Sequence, residues 1–265
     1  MHRELFNFSL PSSWVSVLGV NQITIYSYAV CIVIGSLIAT RYTIKAAKKE
    51  LNINLPYTFF YLLFLGGFVG GKIFYYLEKP SMYWNNPNLL LDNFSGGFVF
   101  YGSFITIMII LWFYFRKYKM AVLAMLDILA MTTLLVHAFG RLGCFFGGCC
   151  YGKPTDSITG IIFPTSNNYS VHPTQLYEVV VLMSILFILL FIKPYKKFNG
   201  QLFLSYVILY ASCRIILELF RGDERGFIIE NYISHSQFIS LLLLLITILY
   251  YKKLDKNKID LKLNY

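Results

Sequence analysis

The chain has 265 residues, of which 57% are hydrophobic, 18% aromatic and only 14% charged, and its mean hydropathy is positive. A soluble domain carries about 25% charged residues, so the composition excludes one and points to an integral membrane protein. The formal net charge of +10 would suit a nucleic-acid binder, but its placement along the chain assigns it to membrane topology, and no nucleic-acid partner is expected.

Apolar windows of roughly 18 residues or more can span a hydrocarbon core about 30 Å thick. Seven are predicted, near residues 19–40, 57–77, 97–115, 121–139, 174–193, 200–220 and 233–251. The expected fold is an all-α integral membrane protein, a single polytopic domain over residues 1–265 with seven transmembrane helices. Ahead of the first window, Glu4 and Pro11 interrupt any basic start and apolar core. No cleavable signal peptide is therefore expected, and the first window serves as the insertion signal.

The second window carries Gly66, Gly67, Gly70 and Gly71, two overlapping G-x-x-x-G pairs that suit close helix packing. Lys72 follows them, placed either to snorkel outward or to join an external anion site. A longer loop over 78–96, with Pro80, Trp84 and Pro87, leads to the third window, which opens with Gly97, Tyr101 and Gly102.

The fourth window runs into HAFGRLGCFFGGCCYG at 137–152, which places Arg141 among cysteines and glycines. A bilayer tolerates an ionisable side chain mainly where it lines a functional cavity. The glycines, Gly143 and Gly152 among them, are expected to let backbone approach an anionic ligand. His137 lies four residues before Arg141, so a helix reaching that far presents both on one face.

A second long loop, 150–172, leads to VHPTQLYE, where His172 is expected to cap the fifth helix and Pro173 to open it. Gln175 and Glu178 then share a face, and a buried carboxylate at Glu178 needs a partner such as Arg141 or Arg214. In the sixth window Tyr210, Arg214, Glu218 and Arg221 are spaced four, four and three apart, which stacks them on one helical face. Glu218 is expected to orient Arg214, whose planar fork suits a phosphate or carboxylate.

Fifteen of the 23 Lys and Arg residues fall after odd-numbered windows: Arg41, Lys45, Lys48, Lys49, Arg116, Lys117, Lys119, Lys193, Lys196, Lys197, Lys252, Lys253, Lys256, Lys258 and Lys262. By the positive-inside rule that face is cytoplasmic. The N-terminus and the two longer loops are then external and the C-terminus cytoplasmic.

Cys31 and Cys213 read as small packing residues. For Cys144, Cys149 and Cys150 a disulfide from Cys144 to Cys149 or Cys150 ranks first, then reduced thiols, a metal site and a lipid-carrying thiol. No metal is expected.

VGGKIFYY at 69–76, GGFVFYG at 96–102, GRLG at 140–143, HPTQLYE at 172–178 and the Arg214, Glu218, Arg221 face together resemble the bacterial prolipoprotein diacylglyceryl transferase family. The resemblance implies a multi-pass enzyme of the bacterial cytoplasmic (inner) membrane that acts without a cofactor. Its implied partners are phosphatidylglycerol, in the surrounding membrane lipid, and prolipoprotein signal peptides with a lipobox cysteine. It also implies that Arg141 and Arg214 are the essential arginines. Tyr26 and Tyr210 match the first-span and sixth-span tyrosines, and Glu178, Glu218 and Arg221 the polar network. Gly97 and Gly102 flank the site.

The chain departs from the family's pattern at Tyr101, where a histidine is usual, and at Cys144 and Cys149, where asparagine and glutamate are usual. A phenol, ordinarily protonated at neutral pH, is a poor base for a thiol. The expected proton acceptor is therefore His137, with Tyr101 positioning substrate and Glu178 next in line. The departures leave two alternatives open: a relative that acts on another acceptor or in thiol chemistry, and a non-catalytic binder of anionic lipid.

Overall fold

The computed structural model describes residues 4–9, 22–78, 80–92, 97–222, 227–229 and 233–257. Arg3, Lys79, Gly96, Arg225, Lys258 and Lys262 lie outside them. The chain forms two compact units, Met1–Lys45 with Leu123–Tyr265, and Ala46–Val122.

Both units are mainly helical. Among the described residues, six helices are long and apolar enough to cross a membrane: α1 (Ser27–Leu51), α2 (Tyr57–Leu77), α6 (Val122–Gly147), α7 (Thr174–Ile192), α8 (Gln201–Glu218) and α9 (His235–Asn257). Two short helices, α3 (Pro80–Asn85) and α4 (Leu89–Asp92), occupy the loop before α5 (Phe100–Lys117). The apolar part of α5 is shortened by Arg116 and Lys117 in its last turn.

The helices are not the whole architecture. Among the described residues, three two-stranded antiparallel pairs join β1 (Glu4–Ser9) to β2 (Gln22–Tyr26), β3 (Ile161–Ile162) to β4 (Ser170–Val171), and β5 (Phe227–Ile229) to β6 (Ile233–Ser234). The first pair corrects the start of the first window. Ile23, Thr24 and Ile25 are β-branched and favour strand, so the helix begins at Ser27 and extends to Leu51. Arg41, Lys45, Lys48 and Lys49 thus ride on the helix, with Lys48 and Lys49 in its last turn, where cations suit the helix dipole.

The fourth helix also outruns its predicted window and continues through Arg141 to Gly147. Gly140 and Gly143 therefore sit in helix. A side chain at Gly143 would meet Tyr28, its Cδ2 at 2.8 Å, so that glycine is demanded by packing against α1. The backbone at Gly140 and Gly143 is thus regular helix. The helix stops at Gly148, whose φ of 65° is left-handed. Bonds from Gly148 N–H to Phe145 O (3.1 Å) and from Cys149 N–H to Cys144 O (3.2 Å) form a Schellman end.

In the larger unit, Met131, Leu134 and Ala138 of α6 pack with Leu182, Ile185, Leu186 and Leu189 of α7 and Leu202 of α8. Buried Asp127 ties this bundle at one end. Its carboxylate accepts from Gly200 N–H (2.8 Å), Phe203 N–H (3.0 Å) and Lys196 Nζ (3.1 Å), which satisfies donors at the start of α8.

The other unit is built on α2 against α5. A Cβ at Gly70 would lie 2.7 Å from the Gly102 carbonyl, and one at Gly102 would meet the Gly70 carbonyl at 2.5 Å. The two backbones touch at this crossing. Ser103 Oγ donates to Gly67 O (2.6 Å), and Lys72 Nζ donates to Gly97 O (3.0 Å). Gly97 itself faces the Tyr75 ring. Tyr101, in the first turn of α5, is exposed.

Candidate active site

One carboxylate organises the larger unit. Glu178 sits in the second turn of α7, with 1% of its surface exposed. Its Oε1 lies 3.2 Å from His137 Nε2 and accepts from Tyr210 Oη at 2.9 Å. Its Oε2 pairs with Arg141 Nε at 2.9 Å and lies 3.8 Å from an Arg221 nitrogen. The partners come from α6, α8 and the segment after α8. A buried carboxylate is tolerable only when its lone pairs are met by charged or polar donors, and these four meet it. The His137 and Tyr210 rings stand edge to face, 5.4 Å apart.

The helical spacing of His137 and Arg141 holds, because α6 continues past both. Arg221 corrects another expectation. The helix ends at Glu218, so Arg221 is not on its face. It lies in an antiparallel bridge with Gly152. Gly152 N–H donates to His172 O (2.8 Å), and Lys153 N–H donates to Phe220 O (2.9 Å). A Cβ at Gly152 would run into the Phe220 carbonyl and meet Thr174 at 2.7 Å. Gly152 is therefore a crossing of two backbones, and it sets Arg221 beside Glu178.

Gly152→Ala should lower stability by about 1–3 kcal/mol through overpacking. Thermal unfolding of the detergent-solubilised chain measures this, and an unchanged midpoint would remove the crossing from the account. His172 does not cap α7: the cap position is Pro173 and the helix starts at Thr174.

A second cluster surrounds Arg214. Its NH2 pairs with Glu218 Oε2 at 2.8 Å, one turn along α8, and its Nε donates to Ser236 Oγ at 3.1 Å. Its NH1 is buried with no hydrogen-bond partner among the described residues. Leaving a buried donor unmet costs about 1–3 kcal/mol, more for a charged group. Such a guanidinium edge is ready for an anion.

Ser234 and Ser236 are not among the residues expected from sequence. Ser234 Oγ donates to Glu218 Oε1 (3.1 Å) and accepts from Gln237 N–H (3.1 Å), while Gln237 Oε1 accepts from Ser234 N–H (3.1 Å). This reciprocal cap is the S-x-x-Q signature, legible just before the last apolar run.

Tyr26 closes β2 with its side chain exposed. Tyr101, Gly97 and Gly102 belong to the other unit.

All five cysteines, each among the described residues, are free thiols. The sulfurs of Cys144, Cys149 and Cys150 lie within 4.8 Å of one another. Cys149 and Cys150 approach to 3.6 Å, and Cys144, from which the disulfide to Cys149 or Cys150 was expected, is free. The expected disulfide is absent. Hydrogen bonding with the Cys144 and Cys149 thiols, assisted by the charges of Arg141 and Arg221 and opposed by burial, draws the Cys150 thiol below its ordinary value.

Comparison with known proteins agrees with the motif reading. The family described as prolipoprotein diacylglyceryl transferase matches residues 16–252. A phosphatidylglycerol–prolipoprotein diacylglyceryl transferase of Clostridium tetani is 37% identical over 229 residues, 84% of this chain and 91% of the relative. A second so named, from Clostridium perfringens, is 32% identical over 232 residues, 86% of this chain and 90% of the relative. One from Rickettsia bellii is 32% identical over 253 residues, 90% of this chain and 89% of the relative. With a match of this extent, the chain belongs to the prolipoprotein diacylglyceryl transferase family.

Proposed function

We propose that this chain transfers the diacylglyceryl group of phosphatidylglycerol to the thiol of a lipobox cysteine in prolipoproteins, releasing glycerol phosphate. The observation that carries the reading is the Arg214 guanidinium, held by Glu218 and Ser236 with its NH1 buried and unmatched. In the transfer, the acceptor sulfur bonds to the glycerol carbon, that carbon's bond to the phosphate oxygen breaks, and negative charge grows on the leaving phosphate. Arg214 and Arg141 meet that growing charge. A preorganised donor of this kind stabilises the transition state more than the bound lipid.

The acceptor proton goes to His137. A carboxylate only accepts hydrogen bonds, so Glu178 holds the proton on His137 Nε2 and leaves Nδ1 as the basic nitrogen. Arg221, Glu218 and Tyr210 hold the two charged clusters in place, and Gly143 and Gly152 shape the backbone of their own unit; Tyr26 and, in its own unit, Tyr101 contact substrate, with Gly97 and Gly102 shaping the backbone near Tyr101.

His137→Gln should lower turnover about a hundred-fold, with a smaller deficit at alkaline pH, where more acceptor thiol is already ionised. Tyr101→Phe should be milder. Steady-state rates across pH test both, and equal activity of His137→Gln and the parent at every pH would move the base elsewhere.

In topology, α5 makes the seventh span. Its 18 residues are about 27 Å of helix, and Arg116 and Lys117 reach the interface. Seven spans place the basic loops in the cytoplasm and the N-terminus outside, in the inner membrane of a bacterium. Asn86, Asn167 and Lys48 are exposed. In a background without the native cysteines, an impermeant thiol label should reach Asn86→Cys and Asn167→Cys in intact cells and Lys48→Cys only after lysis. Labelling of the last in intact cells would reverse the orientation.

The reaction itself is tested with purified protein, phosphatidylglycerol and a lipobox peptide. A thioether-linked diacylglyceryl peptide and free glycerol phosphate are expected together, and the absence of both would overturn the reading.

A further inference from the structure

We propose that Cys144, Cys149 and Cys150 form a three-thiolate site for one thiophilic d10 cation, Zn2+ or Cu+, at the end of α6. The convergence begins in the chain's local geometry. The Schellman end of α6 sets Cys149 against Cys144 through the Cys149 N–H to Cys144 O bond. Cys150 then takes a left-handed φ of 65°, uncommon for a side chain with a Cβ and typical of ligand clamps. The result is three sulfurs within 4.8 Å of one another.

Distances favour a metal over a disulfide. Zinc–sulfur bonds of about 2.3 Å put two sulfurs of a tetrahedral site roughly 3.8 Å apart, and Cys149 and Cys150 stand 3.6 Å apart. A disulfide would use two sulfurs and leave the third unexplained, whereas a soft cation uses all three.

The backbone carrying the thiols is held in advance. Gln175 Nε2 donates to Cys149 O (2.6 Å), Thr174 Oγ1 to Cys150 O (3.0 Å) and Thr165 Oγ1 to Gly148 O (2.5 Å). Outer contacts of this kind orient metal ligands. Three thiolates on Zn2+ carry a net negative charge, and α6 carries the cationic Arg141 within one turn of Cys144. An open cavity of about 410 Å3, lined in part by Cys149, Cys150, Tyr151 and Thr165, leaves room for a water or an incoming thiol as fourth ligand of Zn2+. Cu+ would need no fourth ligand.

The test is chelator competition on the full-length chain, reduced and kept anaerobic in detergent, with Zn2+ and Cu+ titrated separately. One ion per chain is expected. Cys150→Ser should weaken binding by about 100-fold or more, while replacement of Cys31 and Cys213 should leave it unchanged. The arm that binds tightly identifies the ion. The proposal fails if neither ion competes with the chelator, or if the variant lacking Cys144, Cys149 and Cys150 binds as well as the parent. It also fails if protein taken directly from membranes carries a stoichiometric disulfide among these three cysteines. Binding is read without the transfer reaction, so the site and the proposed function stand or fall separately.

Discussion

Arg214→Lys should lower turnover by about 10²–10³-fold, the cost of losing one donor aimed at developing negative charge, while the protein still inserts in the membrane. Lysine keeps the positive charge but not the planar fork. In this structure the fork is divided: Nε goes to Ser236, NH2 to Glu218, and NH1 is left over. A lysine ammonium also has three donors, but they radiate from one atom on a flexible stem and cannot reach Ser236, Glu218 and an anion from the separated positions of the planar fork. The loss should fall on kcat more than on KM for phosphatidylglycerol, because the charge that NH1 meets grows in the transition state. Steady-state kinetics with the lipid varied decide it. Turnover within a few-fold of the parent would remove Arg214 from the phosphate-facing role.

Glu178→Gln should have an effect of similar size for a different reason. The change keeps the shape of the side chain and removes the charge that Arg141, Arg221 and His137 share. Breaking a buried pair by deleting one partner costs about 3–5 kcal/mol, since the remaining charges stay buried and uncompensated. The detergent-solubilised variant should unfold at a clearly lower temperature and lose most transfer activity. A double-mutant cycle with Arg141→Gln separates the pair from general damage. Coupling of about 0.5–3 kcal/mol is expected for residues in direct contact, and strictly additive effects would deny Glu178 its organising role.

Much of the site is legible in the sequence. Arg141, Glu178, Arg214 and Glu218 stand out because an ionisable residue in an apolar window is costly and needs a reason. The spacing of His137 and Arg141 puts them on one face, and α6 carries both. Arg221 departs from its expected place because helical spacing does not hold past the end of α8 at Glu218. Glycine is a poor helix former, so the glycines of GRLG do not by themselves announce a helix. Here α6 runs through them and needs their lack of a side chain against Tyr28.

The sequence by itself determined that the chain is a helical membrane protein, where α2 and α7 begin and end to within a residue, and which family it belongs to. These are local properties: hydropathy is a sum over a window, and a motif is an order of residues. Only the tertiary structure decided that Glu178, from α7, serves His137 and Arg141 of α6, Tyr210 of α8 and Arg221 beyond it. It also decided that Ser234 and Ser236 hold the Arg214 pair, and that three thiols converge without bonding. Apart from the thiols, which meet where α6 stops, those partnerships join residues on different segments of the chain. Their geometry depends on how helices pack and where each one stops, which no local window contains.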